Sequence, residues 1–279
     1  MKWTIAFDSG CDLRELPAQE AAELVLVPLK IRLGDSEVVD DGSTSLEELQ
    51  RRLDSEKGRT GTACPSVGDW HEVMERGENV LAITISGAVS GSYQSALAAQ
   101  HLVHDEDPGK HIFVMDSVSG SGTMQSIVET ALRLIGEGRS FQEVCQGMQD
   151  CRSRSEVFFL LQNVDNIMSN GRLNPIIGRA VKALKLSLLA TVSEEGKLGV
   201  IAKVRGFRKA MDQAIKEYLN RGGRARKIII THCLNPEGAE VMKGKLLEHF
   251  PLAEVKILQT GLLCGYYAEK GGLIVALES

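Results

Sequence analysis

Ile85-Ser86-Gly87-Ala88-Val89-Ser90-Gly91-Ser92-Tyr93-Gln94-Ser95-Ala96 joins an apolar run to a helix-forming one through a turn of small polar residues. The run at 80–86 has the length and composition of a buried strand, and 93–100 is rich in good helix formers. A strand that ends in serines and glycines and opens directly into a helix is the building unit of an α/β fold. In open parallel sheets the ligand crevice lies beyond the carboxyl ends of the strands, where this turn falls. The first amides of such a helix have no partner within it, and its dipole favours negative charge. Glycine at 91 lets an oxygen-bearing ligand approach the backbone, so the segment suits a carboxylate or a phosphate. The plainer reading is that Ser90 caps the helix and Gly91 eases the turn. The local pattern leaves both standing.

Outward from this segment, short apolar runs alternate with amphipathic stretches along the whole chain. Strands are expected at 3–7, 80–86, 112–116, 157–162, 227–232, 255–259 and 273–277, mostly paired in parallel. Two segments read as antiparallel ribbons: 27–33 with 37–39, and 187–192 with 198–204 across the turn Ser193-Glu194-Glu195-Gly196. Ser45-Leu46-Glu47-Glu48 opens one helix as a capping box, and Asn235-Pro236-Glu237 places proline in the first turn of another. The polar break Arg152-Ser153-Arg154-Ser155-Glu156 divides the chain. The expectation is two α/β domains, 1–153 and 154–279, with mostly parallel sheets flanked by helices plus antiparallel ribbons. Two more small-polar clusters, Asp8-Ser9-Gly10-Cys11-Asp12 and Asp116-Ser117-Val118-Ser119-Gly120, end strands and share the crevice with the first.

Composition removes several functions. Lys+Arg 32 against Asp+Glu 37 gives a formal charge of −5 with both signs interspersed, so no basic stripe recruits nucleic acid or an anionic membrane. Apolar runs are too short to span a bilayer, and Asp8 interrupts the opening run before it resembles a secretory signal. The six cysteines form no C-x-x-C pair and read as free thiols of a reducing compartment, which places the protein in the cytoplasm. The six histidines lack metal-ligand spacing, and neither G-x-G-x-x-G nor G-x-x-x-x-G-K-[ST] occurs. No metal and no cofactor are expected.

Other candidate residues are individually ambiguous. Thr62-Ala63-Cys64-Pro65-Ser66 is a hydroxyl-bearing loop in which Thr62 could donate to a carboxylate, or in which Ser66 simply caps the next helix. Arg172, in Ser169-Asn170-Gly171-Arg172, offers planar donors suited to an anionic head group, or pairs with a surface acid. His232 ends a strand, a position open to an acid or base and equally to a hydrogen-bonded structural histidine. A catalytic alternative, an acyl-group hydrolase or transferase, would use Ser90 or Cys64 as nucleophile and would require a base within hydrogen-bond reach.

Taken in order, these segments resemble the DegV family, whose bacterial members bind fatty acids and include the binding subunit of fatty acid kinase. The resemblance rests on Asp8-Ser9, Thr62-x-x-Pro65-Ser66, Ile85-Ser86-x-x-Val89-Ser90-Gly91-Ser92-Tyr93-Gln94-Ser95-Ala96, Asp116-Ser117, Gly171-Arg172 and Thr231-His232, and it runs nearly the whole chain. It implies two α/β domains with a long-chain fatty acid at or near their interface. The acyl chain would lie in an apolar tunnel. Thr62 and Ser90 match positions that hold the carboxylate, Gly91 and Ser92 supply backbone contacts, and Arg172 lies near the reacting head group. The resemblance also implies a separate ATP-dependent kinase subunit that phosphorylates the bound carboxylate, so that this chain presents substrate and carries no catalytic residue. The sequence departs from the family at Ala63, where relatives have a second serine, and at Ser86-Gly87, where a serine pair is common. It also reads Tyr266-Tyr267-Ala268-Glu269-Lys270-Gly271-Gly272 where relatives carry His-Thr-Gly-Pro-Gly. Tyr267 takes the place of the histidine, and its phenol can donate a hydrogen bond but brings no positive charge.

Overall fold

The computed structural model describes residues 2–14 and 21–279. The chain opens with β1 (Trp3–Asp8), β2 (Glu23–Val27), β3 (Lys30–Leu33), β4 (Ser36–Val39), α1 (Leu46–Ser55), β5 (Thr60–Ala63) and α2 (Val67–Met74). There follow β6 (Asn79–Thr84), α3 (Ser92–Glu106), β7 (His111–Asp116), α4 (Gly122–Gly136) and α5 (Phe141–Ser153). Beyond the polar break come β8 (Ser155–Leu161), α6 (Asp165–Ser169), α7 (Pro175–Ala183), β9 (Ser187–Val192), β10 (Leu198–Val204) and α8 (Phe207–Asn220). The chain closes with β11 (Lys227–His232), α9 (Pro236–His249), β12 (Glu254–Gln259), α10 (Leu262–Ala268) and β13 (Leu273–Glu278). Ser45 accepts the Glu48 amide but the Glu48 carboxylate turns to Arg52 and Arg51, so only half of the expected capping box forms, while Asn235 accepts the Gly238 amide with Pro236 in the first turn as expected.

The first sheet, ordered β2-β1-β6-β7, is parallel throughout. Its strands are apolar without alternation because both faces are covered. Ile5, Phe7, Leu81 and Ile83 pack with Met124, Ile127 and Val144 of α4 and α5. Ala6, Val80 and Ala82 face Trp70, Met74, Ala96 and Ala99 of α2 and α3.

The second sheet, ordered β10-β9-β8-β13-β11-β12, belongs to the α/β class but corrects the expectation of mostly parallel pairing. Only β11 and β12 run in parallel, and its other four pairings are antiparallel. A strand buried on both faces reads the same whichever way its neighbour runs. One face of this sheet, with Phe158, Leu160, Ile228, Ile230 and Val275, packs on α8 and α9. The other face shares a core with the small antiparallel sheet β4-β3-β5 and with α1 and α10, so Val157, Leu161 and Ile274 lie in one cluster with Ile31, Leu33 and Leu49.

The ribbon β9–β10 has the bounds its sequence implies, 187–192 with 198–204. The run at 27–33 does not form one strand. Val27 ends β2 in the parallel sheet, and β3 starts afresh at Lys30 beyond Pro28, which has no amide to donate to a ladder. Helix α4 joins the two larger sheets, contacting β11 and β13 as well as β6. The closeness requires glycine at its start, since a Cβ on Gly122 would lie 2.8 Å from the Cβ of Ile229.

Candidate functional site

Two carboxylates at strand ends fix the loop that leads from β6 into α3. Asp8, ending β1, accepts the Ile85 amide at 2.9 Å, the Gly10 amide at 3.0 Å and the Ser92 hydroxyl at 2.5 Å. Burial pushes the Asp8 carboxyl up to about 6, and the Ser92 hydrogen bond pulls the other way. Asp116, ending β7, accepts the Gly87 amide at 3.1 Å and the Val118 amide at 2.7 Å. Ser86 donates from its hydroxyl to the Gly196 carbonyl at 2.7 Å, bringing the tip of the β9–β10 ribbon onto this loop.

Gly91 is the N-cap of α3, which has no acid in its first turn. The Ser90 hydroxyl accepts the Ser92 amide at 3.3 Å, so Ser90 takes part in the cap, and the Ser92 hydroxyl points to Asp8. The amides of Tyr93 and Gln94 lie in this first turn, where an intrahelical partner is absent by geometry.

Across from this turn stands β5, a strand whose end, Thr62-Ala63, falls in the segment expected to be a hydroxyl-bearing loop. Thr60 and Thr62 lie two apart on it and share a face. Thr60 pairs with the Tyr266 hydroxyl and Thr62 with the Tyr267 hydroxyl, each at 2.7 Å. The strand ends against the loop, because a Cβ on Gly91 would come within 3.1 Å of the Cys64 sulfur. Arg172 closes the circle. Its Nε donates to the Val89 carbonyl at 3.2 Å, Nη1 to the Asn170 carbonyl at 2.5 Å, and its guanidinium carbon lies 5.8 Å from the Tyr267 ring centroid. Among the described residues no acid pairs with Arg172.

The structure thus links Thr62, Tyr267, Arg172 and the Val89–Gly91 turn by successive contacts. Ser92 stands behind them, buried, with its hydroxyl turned to Asp8. Tyr267 has a second aspect: its ring lines an apolar cavity of about 90 Å3 with Ile85, Phe159, Leu161, Ile167 and Leu263. The hydroxyl cluster and the apolar space therefore meet at one side chain. Helix α10, which carries Tyr266 and Tyr267, is anchored at its start by buried acids. Asp40 accepts the amides of Leu262 and Leu263 at 3.1 and 2.9 Å, and Asp12 accepts the Gly261 amide at 2.7 Å.

Several of these residues escaped sequence reasoning. Glu269, in a left-handed conformation with φ 52°, accepts the Asn166 amide at 2.9 Å and ties the end of α10 to α6. Burial pushes its carboxyl up to about 7. The cavity wall draws on the loop after β6 and on β8, α6, α10 and β13, a grouping no local pattern announces. Ser90 and Cys64 have no histidine within hydrogen-bond reach among the described residues. His232 accepts the Asn235 amide through Nδ1 at 3.3 Å, the structural role open to a strand-end histidine. Cys233 is buried, which drives its thiol up to about 12. No helix among the described residues is long and apolar enough to cross a membrane.

This α/β arrangement, with small-polar strand ends facing an apolar wall, is that of a known group of proteins. The family model described as an uncharacterised protein of the DegV family matches residues 2–278, and the chain belongs to the DegV family. A DegV domain-containing protein of Streptococcus pneumoniae is 34% identical over 279 residues, covering 100% of this chain and 99% of the relative. Among solved structures, the Streptococcus pneumoniae fatty acid kinase B3 protein loaded with linoleic acid superposes with a TM-score of 0.95 at 35% identity, covering 100% of this chain and 99% of its own. A DegV family protein of Eubacterium eligens loaded with heptadecanoic acid gives a TM-score of 0.92 at 30% identity, with 99% of each chain covered.

Proposed function

We propose that this chain binds one long-chain fatty acid, with its carboxylate at Thr62, Tyr267, Arg172 and the Ser90–Ser92 turn and its tail in the space behind Tyr267. The observation that carries the reading is the double role of Tyr267, whose hydroxyl pairs with Thr62 while its ring walls an apolar cavity. The fatty acids in the two solved structures named above support the same ligand class. The site would lie between an N-terminal unit, 1–153, and a C-terminal unit, 154–279.

Burial of a methylene contributes about 0.8 kcal/mol, so a tail of roughly a dozen methylenes supplies on the order of 10 kcal/mol before ordering costs. The tail thus provides most of the affinity, and the hydroxyls orient and neutralise the head group. The cavity is smaller than the roughly 300–1,000 Å3 usual for ligand sites, so entry of a chain requires Phe159, Leu161, Ile167 and Leu263 to move apart. Helix α10 is held at its start by Asp40 and Asp12, so the rearrangement falls to these packed side chains.

The protein acts as a carrier in the cytoplasm, presenting the carboxylate to an ATP-dependent kinase subunit. Arg172, free of an acid partner among the described residues, faces the transferring charge and the Tyr267 phenol orients the acceptor oxygen. The chain needs no nucleophile of its own for this. Mass spectrometry of an organic extract of the purified protein tests the reading. One equivalent of fatty acid is expected, either carried through purification or taken up from a supplied mixture of chain lengths. A folded protein that neither carries nor takes up any acyl chain rules it out.

A further inference from the structure

Helices α2 and α3 carry a group of side chains that the fatty-acid reading leaves unused. His71 lies in the last turn of α2 and Glu75, four residues on, is its C-cap, so the two share one face, while Glu106 is the last residue of α3. A common core fixes the spacing of the helices, since Trp70, Val73 and Met74 of α2 pack with Ala96, Ala99 and Val103 of α3. On the rim of this core the His71 Nε2 lies 3.1 Å from the Glu106 carboxylate and its Nδ1 3.8 Å from that of Glu75. One ring nitrogen and one oxygen of each carboxylate lie within 4.8 Å of one another, the one such convergence of imidazole and carboxylates among the described residues. Sequence spacing does not announce it, because the second ligand is a carboxylate and the third stands on another helix.

The charges around the group say what completes it. A neutral imidazole carries one N–H and satisfies one carboxylate, whereas here a carboxylate stands at each ring nitrogen. Neither Glu75 nor Glu106 pairs with a lysine or arginine among the described residues. The neighbouring cations are engaged elsewhere, Arg76 with Glu72 and Glu23, and Lys110 with the Met74 and Glu75 carbonyls. Two carboxylates and a ring nitrogen thus meet with no lysine or arginine to balance them, a donor set suited to a divalent cation that takes both nitrogen and oxygen. His71 is the fixed member, its side chain 23% exposed, while Glu75 and Glu106, at 55% and 60%, are free to close the last distance. We propose that His71, Glu75 and Glu106 bind one zinc ion, with water as the fourth ligand of a tetrahedral site, and that the ion staples the end of α2 to the end of α3. Magnesium and calcium suit the group poorly, since both prefer a shell of six or more oxygens. The site is independent of the fatty-acid reading, and none of its three residues lines the apolar cavity.

Isothermal titration and thermal shift of the full chain, stripped with EDTA and desalted, test the site with zinc chloride and magnesium chloride as probes. Zinc should raise Tm in a concentration-dependent way, and magnesium should give little or no shift. Zinc affinity should fall by about tenfold or more in each of His71→Gln, Glu75→Gln and Glu106→Gln, and persist in Cys64→Ser, which removes the exposed thiol. The three ligand variants should keep the circular dichroism of the parent and take up linoleic acid as it does. Glu106→Gln, at an exposed helix end, carries the test should His71→Gln fail to fold. The proposal is overturned if zinc does not bind, if magnesium raises Tm as much as zinc, if affinity is undiminished in any folded ligand variant, or if it is lost in Cys64→Ser. Absence of zinc binding would leave His71 as no more than the charged partner of the two glutamates.

Discussion

The four-strand and the six-strand sheets both border the site, and they supply it by different physics. The parallel sheet ends in carboxylates, Asp8 and Asp116, that hold a loop by hydrogen bonds made in advance of any ligand. The six-strand sheet offers Phe159, Leu161 and Ile274, side chains fixed only by packing around a small space. A hydrogen-bonded loop keeps its geometry at a cost already met in folding, whereas a packed wall can rearrange as a tail replaces its contacts. The polar half therefore sets orientation, and the apolar half sets affinity and chain length.

The comparison can be broken most severely at the wall. Phe159→Asp places a carboxylate where the tail should run, and acyl affinity should fall about 100-fold or more, with Phe159→Leu as a folded control near the parent value. Titration of both variants with linoleic acid, alongside their circular dichroism, decides this, and an unaffected Phe159→Asp would move the tail elsewhere. On the polar side, Ser92→Ala removes the hydroxyl donor of the buried Asp8 carboxylate. Stability in urea should drop by about 1–3 kcal/mol, with acyl affinity affected far less than in Phe159→Asp. A loss of affinity as large as that of Phe159→Asp would show that the loop was not held in advance.

The tie between α10 and α6 gives a pH signature. Burial raises the Glu269 carboxyl above its ordinary value, so the folded state bears a penalty that is full above about pH 7 and disappears below the unfolded value of 4.5. The stability associated with this group therefore rises as pH falls from 8 to 6, by on the order of 1 kcal/mol. Denaturation of the parent and of Glu269→Gln at both pH values should show the gain reduced in the variant. Equal pH dependence in the two would remove Glu269 from the account. Thr62→Val has the smallest expected effect, about 3–10-fold on acyl affinity, since one hydroxyl is lost while the tail contacts stay. Phosphoryl transfer with a kinase subunit should suffer more than binding in this variant, and equal losses would argue that Thr62 serves only affinity.

How much of this was legible in the sequence follows the same divide. The β6-to-α3 turn and the β9–β10 ribbon are legible because their signals are local: glycines and serines between a strand and a helix, or two apolar runs flanking a four-residue turn. Strand β5, Thr60-Gly61-Thr62-Ala63, is not, because it lacks apolar alternation and is a strand only through pairing with β3. The direction of β8, β11 and β13 was hidden for the opposite reason, since runs buried on both faces carry no mark of their neighbours. The wall of the cavity gathers residues from 85 to 274, and only tertiary packing brings them together. Tyr267 was found through its place in a family motif, but its bond to Thr62 required the unrecognised strand.

A crystal structure of the protein with linoleic acid tests the central claim most directly. The account predicts carboxylate oxygens within hydrogen-bond distance of the Thr62 and Tyr267 hydroxyls and the tail passing between Phe159 and Leu263, with the loop at 85–92 unmoved. A tail bound on the outer surface, or a carboxylate remote from Tyr267, would contradict it.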